Sequence, residues 1–174
     1  MKLADLLKKQ GILVVPGCYD PLTAKIVESC GFQAAYLGGW AAGAHLTVTE
    51  PMTTLTDMAE IARKINVNLN IPLVMDADAA FGDLAAVVRT VRELELAGVQ
   101  AIHIEDQVVP KRVHYHKGVI ELIPAEQMAE KLEKALEVRK SRDFLIIART
   151  DAGRNKEEPF ANAVERANLY ASVG

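Results

Sequence analysis

The sequence predicts an α/β chain made of five strand–helix units, an incomplete (β/α)8 TIM barrel, and three observations lead there. Short apolar runs alternate with longer helical patterns along the chain, the order that builds a parallel sheet. Three of the runs are apolar at nearly every position, as strands buried on both faces must be, and all three end in charged groups: Ile71-Pro-Leu-Val-Met-Asp76-Ala-Asp78, Ala101-Ile-His103-Ile-Glu105-Asp106 and Phe144-Leu-Ile-Ile-Ala-Arg149-Thr-Asp151. Chemistry at the C-terminal ends of several successive strands is a barrel's arrangement, whereas an open sheet gathers ligands at one switch point. An open five-stranded sheet also fits the length, but the spread of acids over three strand ends favours the barrel. A full barrel needs about 250 residues. The 174 present therefore hold about five of eight units, read as a single partial domain over 1–174.

Taken in order, residues 1–10 have the spacing of a short amphipathic helix, and Ile12-Leu-Val-Val-Pro16-Gly17 reads as the first strand. Asp20 and Pro21 are an N-cap and first helical residue, starting a helix that turns Leu22, Ile26 and Val27 inward and stops at Gly31. Ala34-Ala-Tyr36-Leu37 is the second strand. It runs into Gly38-Gly39-Trp40 and a loop over 41–52, followed by a helix through Leu55, Met58, Ile61 and Ile65. After the third strand, Asp83 starts a helix with Leu84, Val87, Val88, Val91 and Leu94 on one face, ending at Gly98. The fourth strand, 101–104, is followed by a long polar stretch over 107–121. A helix then begins near Pro124, with Met128, Leu132 and Leu136 inward and its charges outward. The fifth strand is 144–148, and Pro159 opens a region whose helix runs over 160–170. Five strands leave apolar edges, which call for partner chains or further strands.

Half the residues are hydrophobic and a quarter charged, the balance of an ordinary globular protein. A net charge of -3, with Lys and Arg spread along the chain, gives no electrostatic case for nucleic acid. No apolar run spans a bilayer and the N-terminus has no signal-peptide pattern, so no membrane partner is expected. Cys18 and Cys30 lack disulfide or metal spacing, which makes a reducing cytoplasm the expected compartment. Cys30 reads as a packing residue at a helix end, while Cys18 has the better claim to line a pocket.

Asp76 and Asp78 lie two apart, pointing to the same side of an extended strand, and such a pair repels itself unless a cation is near. Glu105 is a third oxygen donor. Oxygen-only ligands suit Mg2+, with Mn2+ as a substitute, because the ion keeps places for water and substrate oxygens. The structural alternatives are a helix cap for Asp78 and a rim salt bridge for Glu105. His103 alternates with Glu105 and is either a participant or a satisfied core residue. Arg149 suits two-pronged capture of a carboxylate, or else a salt bridge to Asp151 or Glu105. Gly38 and Gly39 either offer backbone N–H groups to an anionic oxygen or make a plain turn. The stretch Lys111-Arg112-Val113-His114-Tyr115-His116-Lys117-Gly118 reads as a lid or as a solvated basic loop. His114 and His116 have no third soft ligand nearby.

Together Pro16-Gly-Cys-Tyr-Asp20, Tyr36-Leu-Gly-Gly39, Asp76-Ala-Asp78 with the following Phe81-Gly82, His103-Ile-Glu-Asp-Gln107, Lys111-Arg112 and Ala148-Arg-Thr-Asp-Ala152 resemble the isocitrate lyase and phosphoenolpyruvate mutase superfamily. The nearest likeness is to its short 2-methylisocitrate lyase and carboxyphosphonoenolpyruvate mutase-like branch. The resemblance implies a (β/α)8 barrel, a homo-oligomer (dimer or tetramer) that exchanges its last helix, and a chain here that lacks roughly the final third of a typical member. It further implies that Asp76, Asp78 and Glu105 hold Mg2+. Tyr36, Gly38, Gly39, Asp76 and Arg149 would bind a 2-oxo or 2-hydroxy carboxylate, and Glu105, Arg149, Lys111 and His103 would serve catalysis.

The implied reaction is C–C cleavage of a small dicarboxylate through a metal-stabilised enolate, as in an oxaloacetate decarboxylase or a methylisocitrate lyase. The alternatives are a phosphonomutase or phosphonate hydrolase on a phosphoenolpyruvate-like substrate, or a non-catalytic barrel. The chain departs from the lyase pattern at Val113, where the lyases carry a proton-moving cysteine. Valine moves no protons, so that task passes to His114, Tyr115 or His116, or the reaction is one that needs no loop acid. Gly38 stands where lyases commonly have serine, and Glu50 near a usual loop aspartate.

Overall fold

The computed structural model describes residues 1–9, 11–111, 120–154 and 160–174. Five parallel strands lie side by side in sequence order: β1 (Gly17–Cys18), β2 (Ala35–Leu37), β3 (Leu73–Asp76), β4 (Ala101–Glu105) and β5 (Leu145–Arg149). The helices are α1 (Leu3–Leu7), α2 (Pro21–Ser29), α3 (Gly39–His45), α4 (Leu55–Asn66), α5 (Leu84–Leu96), α6 (Ala125–Val138) and α7 (Phe160–Val173), with 3-10 turns at Glu50–Met52 and Ala152–Arg154. Unbroken sequential order with helical crossovers is the arrangement of a partial (β/α)8 barrel, as expected.

Alternation along each strand divides the chemistry between two faces. Leu73 and Met75 of β3 and Ile102 and Ile104 of β4 pack into one large core with Val27 of α2, Met58 and Ile65 of α4, Val87, Val91 and Leu94 of α5, and Met128 and Leu132 of α6. The intervening residues point to the other face. Near the strand starts Val74 and Ala101 pack there with Leu3, Ala34, Leu13, Val15 and Leu145. Near the strand ends the same face carries Asp76, His103, Glu105 and Arg149, because Asp76 is in register with His103 and Glu105 with Arg149. Capping fixes where the flanking helices start. Asp20 and Thr54 each form a reciprocal capping box, and Asp83 accepts from the N–H groups of Ala85 and Ala86. Each cap is worth about 1 kcal/mol.

Several local expectations are corrected. The first strand is short: β1 pairs only at Gly17 and Cys18, and Ile12 is 94% exposed, because the preceding run lies along an edge that no strand covers among the described residues. On α2 the buried stripe is Ala24 and Val27, leaving Leu22 and Ile26 exposed, since the small Ala24 side is the one turned to the core. Leu84 is likewise exposed at the start of α5. The first part of the loop expected over 41–52 belongs instead to α3, a helix its two glycines disfavour by propensity. A side chain at Gly39 would meet Asp76 Oδ2 at 3.1 Å and one at Gly43 would meet the Val48 carbonyl at 3.0 Å, so tertiary approach decides both residues. Cys18 is wholly buried rather than pocket-lining, and burial, aided by Asp20, pushes its thiol up to about 11. Cys30 caps α2 in an exposed position instead of packing. No helix among the described residues is long and apolar enough to cross a membrane.

Candidate active site

The site is built on the ends of β3, β4 and β5. Beyond Asp76 the chain makes a tight turn in which Asp78, Ala80 and Phe81 all have left-handed backbones, with φ of 51°, 62° and 56°. Each costs about 1–2 kcal/mol in a non-glycine residue, so the surroundings must impose the shape. They do so from every side. The Asp78 N–H donates to Asp76 Oδ1 (2.8 Å), the Glu105 N–H to the Asp78 carbonyl (3.0 Å), Thr90 Oγ1 to the Ala80 carbonyl (3.0 Å) and Lys131 Nζ to the Ala79 carbonyl (2.9 Å). Lys131 is buried on α6, where charges were expected to face outward.

This turn points Asp78 at Lys111. The Lys111 ammonium lies 2.7 Å from Glu50 Oε1, 2.8 Å from Glu105 Oε1 and 3.3 Å from Asp78 Oδ2. Glu105, with no exposed surface, meets the Arg149 guanidinium through its other oxygen, Oε2 to Nη1 at 3.0 Å. Arg149 in turn grips Asp151 through Nε and Nη2, both at 3.1 Å, and Gln107 donates to Asp151 at 2.5 Å. Behind them Asp106 gathers Thr150 Oγ1 (2.7 Å), the Asp151 N–H (2.9 Å), Tyr170 Oη (2.9 Å) and Arg166 (3.3 Å).

Beside this cluster lies a second one. Gly39, the first residue of α3, donates its N–H to Asp76 Oδ2 at 3.3 Å, and the Tyr36 hydroxyl is 2.6 Å from His103 Nε2 under a nearly parallel ring contact. His103 Nδ1 faces Asp76 Oδ1 at 3.7 Å and has no hydrogen-bond partner. A bare lone pair on Nδ1 would be repelled by that carboxylate, so the proton sits on Nδ1 and Tyr36 donates to Nε2. Burial lowers the His103 pKa against the pull of Asp76, with Arg149 and Lys111 acting in the same direction as burial, and burial plus Asp76 raises that of Tyr36. At neutral pH the pair is uncharged.

The acids are uncomfortable in this setting. Burial raises the Glu105 carboxyl to about 7 although Lys111 and Arg149 oppose it, and burial raises Asp78 against Lys111. Lys111 is held protonated because Glu105 and Asp78 outweigh the cost of burying it. Four carboxylates, of Glu50, Asp78, Glu105 and Asp151, thus share Lys111 and Arg149 as cations at ion-pair distance, and Asp76 lies beside them against His103. Neither Glu105 oxygen has a well-aligned hydrogen bond. An all-oxygen, electron-rich, buried donor set of this kind fits a hard divalent cation in charge and donor type. As arranged, no three acidic, His or Cys side chains among the described residues form a ready-made metal cluster. Asp78 and Glu105 meet around Lys111 with Glu50 as third acid, and Asp76 stands alongside, tied to Gly39 and to the Asp78 backbone.

The residues singled out in the sequence therefore fall into two touching groups: Asp78, Glu105, Lys111 and Arg149 in one, Tyr36, Gly39, Asp76 and His103 in the other. Gly38 is the N-cap of α3 and lies over the Tyr36 ring, where a side chain would come within 3.0 Å. Arg112, Val113, His114, Tyr115 and His116 lie outside the described residues. Sequence reasoning passed over Thr90, Arg166 and Tyr170, which carry no local signal, and gave no role to Asp106, seen only as part of a strand-end motif, or to Lys131. Glu50, noted only by its position, proves to be a direct partner of Lys111. A cavity of about 320 Å³ opens beside Lys111 and Asp78, walled by Pro51, Leu55, Phe81 and Val109.

Comparison with known proteins agrees with this architecture. The chain is 43% identical to the 2-methylisocitrate lyase of Aeropyrum pernix over 173 residues, covering 99% of this chain and 54% of that protein. It superposes on the crystal structure of phosphoenolpyruvate phosphomutase from Streptomyces platensis subsp. rosaceus with a TM-score of 0.94 at 28% identity, covering 99% of this chain and 60% of the other. On phosphonopyruvate hydrolase, solved with oxalate and Mg2+, the TM-score is 0.83 at 30% identity, covering 92% and 54%. The chain spans about half the length of these relatives, less than the two thirds expected from its motifs. Residues 3–174 match the phosphoenolpyruvate phosphomutase family, and the chain belongs to that family, within the isocitrate lyase and phosphoenolpyruvate mutase superfamily.

Proposed function

We propose that this chain supplies the acid-binding and enolate-forming part of a Mg2+-dependent lyase, which cleaves a C–C bond of a small 2-oxo or 2-hydroxy dicarboxylate. The observation that carries the reading is the buried Glu105 held between Lys111 and Arg149, directly beside the neutral Tyr36–His103 pair. Mg2+, or Mn2+ in its place, would be held by Asp76, Asp78 and Glu105 and would supply Lewis-acid stabilisation of charge developing on a substrate oxygen.

The chain's own groups do the rest. Arg149, partly exposed and fixed by Asp151, binds a substrate carboxylate. His103, with its ring fixed by Tyr36 and its buried Nδ1–H turned to Asp76, orients that residue's carboxylate, and Gly39 places a backbone N–H on the same side. Glu105, whose carboxyl titrates near neutrality, holds or releases a proton at Oε1 or Oε2 as charge changes next to it. Lys111 provides a second cation, on a flexible stem.

The working protein is read as a cytoplasmic homo-oligomer, dimer or tetramer, with a small carboxylate as its partner and neither nucleic acid nor membrane. The likeness to a mutase and a phosphonate hydrolase favours one further reading, in which the same two cations take a phosphonate in place of a carboxylate. Pyruvate release from oxaloacetate and phosphate release from phosphonopyruvate, each with and without EDTA, separate the two. EDTA-sensitive pyruvate release supports the lyase. Phosphate release alone replaces it with the hydrolase, and turnover indifferent to EDTA removes the metal from both.

A further inference from the structure

We propose that Lys111 is the resident counter-ion of the Glu50–Asp78–Glu105 cage and competes with the divalent cation for it, so that metal loading ejects the ammonium and makes it available to the incoming acid. The inference rests on the metal-dependent reading above and adds an occupant and an order of events to it.

The geometry is that of a cation seat already taken. One ammonium touches an oxygen from each of three carboxylates that come from well-separated parts of the chain, and its side chain is 2% exposed. Buried acids brought this close repel one another, and a fixed positive charge is what lets them stay together in a metal-free fold. Lys111 reaches them at 2.7–3.3 Å, whereas magnesium binds oxygen at about 2.0–2.1 Å. Asp78 and Glu105 belong both to this cage and to the proposed metal set, and a second cation drawn to the same two carboxylates is repelled by the ammonium, so the two compete for them.

The two cations of the site also differ in freedom. Arg149 is tied to Asp151 by two hydrogen bonds as well as to Glu105, while Lys111 is a point charge on a flexible four-carbon stem. The structure therefore contains one cation built to stay and one built to leave. Once displaced, the ammonium brings three donors, which favours an anionic ligand arriving after the metal. Ordered loading, metal before acid, follows from the exchange.

The test uses the whole chain and Mn2+ as probe. Reductive methylation read by mass spectrometry should leave Lys111 protected in EDTA-treated protein and modify it when Mn2+ is bound. Lys111→Met should bind Mn2+ at least tenfold more tightly than the unmodified sequence by calorimetry or by the loss of the free-ion spin-resonance signal. Lys111→Arg, which retains the counter-ion, should stay close to the original affinity. Lys111 labelling that does not respond to Mn2+, or equal Mn2+ affinity of a folded Lys111→Met variant, overturns the exchange while leaving the metal site standing. If Lys111→Met does not fold, the labelling decides alone. Failure of both proteins to bind millimolar Mn2+ overturns the metal-dependent reading and this inference with it.

Discussion

Glu105 and Arg149 are direct neighbours in the β4–β5 register, and the Glu105 Oε2 to Arg149 Nη1 distance is 3.0 Å. Two strand ends, 44 positions apart in the chain, thus place a buried carboxylate against a guanidinium that still has surface to offer a ligand. The pair is held from both sides, Glu105 by Lys111 and Arg149 by Asp151.

Arg149→Lys keeps the charge but loses the two-pronged grip on Asp151 and the planar face for a carboxylate. Hydrogen bonds to charged groups are worth about 1.5–3 kcal/mol, which corresponds to roughly a ten- to hundredfold rise in KM for the acid substrate. Steady-state kinetics with oxaloacetate measure it, and an unchanged KM removes Arg149 from substrate binding.

Asp76→Ala takes away the acceptor of the Gly39 and Asp78 N–H groups and the anion that faces His103 Nδ1. Mg2+-dependent pyruvate release should fall below detection while the helical circular dichroism is retained. Turnover equal to that of the original chain would remove Asp76 from the site.

The raised Glu105 carboxyl makes the metal-free protein pH-sensitive in a defined direction. Its ordinary value of 4.5 applies to the unfolded chain and about 7 to the folded one, so the folded state holds a proton that the unfolded state has released between those values. Its stability contribution is fully present below about 4.5 and is lost as the pH rises through about 7. Asp78, raised by the same cause, acts with the same sign. His103, lowered by burial, acts with the opposite sign, so the Glu105 part is read as a difference: the Tm of the EDTA-treated protein minus that of Glu105→Gln should decline between pH 5 and pH 7.5. A difference that rises or stays level over this interval contradicts the assignment. Metal binding near pH 7 should release protons, read as a buffer-dependent heat in calorimetry.

Lys131→Met leaves the Ala79 carbonyl without its buried donor in the turn that aims Asp78. Burial lowers the Lys131 pKa, so part of the loss is recovered by no longer burying a charge. Because an unsatisfied buried group costs about 1–3 kcal/mol, the net expectation is about 1 kcal/mol of destabilisation in urea together with weaker Mn2+ binding. Equal stability and equal affinity would show that the left-handed turn holds itself.

Much of this was legible because it is local. The apolar runs of β3, β4 and β5, the Asp20 and Asp83 starts of α2 and α5, and the acids at the strand ends are properties of a few adjacent residues. Period-two alternation alone puts His103 and Glu105 on one face of β4, and the β3–β4 register adds Asp76 to it. The burial of α2 was not legible, because Leu22 and Ile26 fit a helical stripe as well as Ala24 and Val27 do. Only the neighbouring surface chooses between them. Nor was Lys131, whose charge says outward until the bent turn of Ala79 and Ala80 presents carbonyls that need a donor.

By itself the sequence determined a parallel α/β chain with carboxylates, a histidine and an arginine at the C-terminal ends of its strands, since hydrophobic period and strand direction require no knowledge of what packs where. Only the tertiary structure decided which of them meet. Lys111 and Glu50 stand 61 residues apart, and no spacing announces that one ammonium will sit among Glu50, Asp78 and Glu105. That meeting comes from long-range packing, in which burial raises the cost of uncompensated charge until the nearest flexible cation is drawn into the cage.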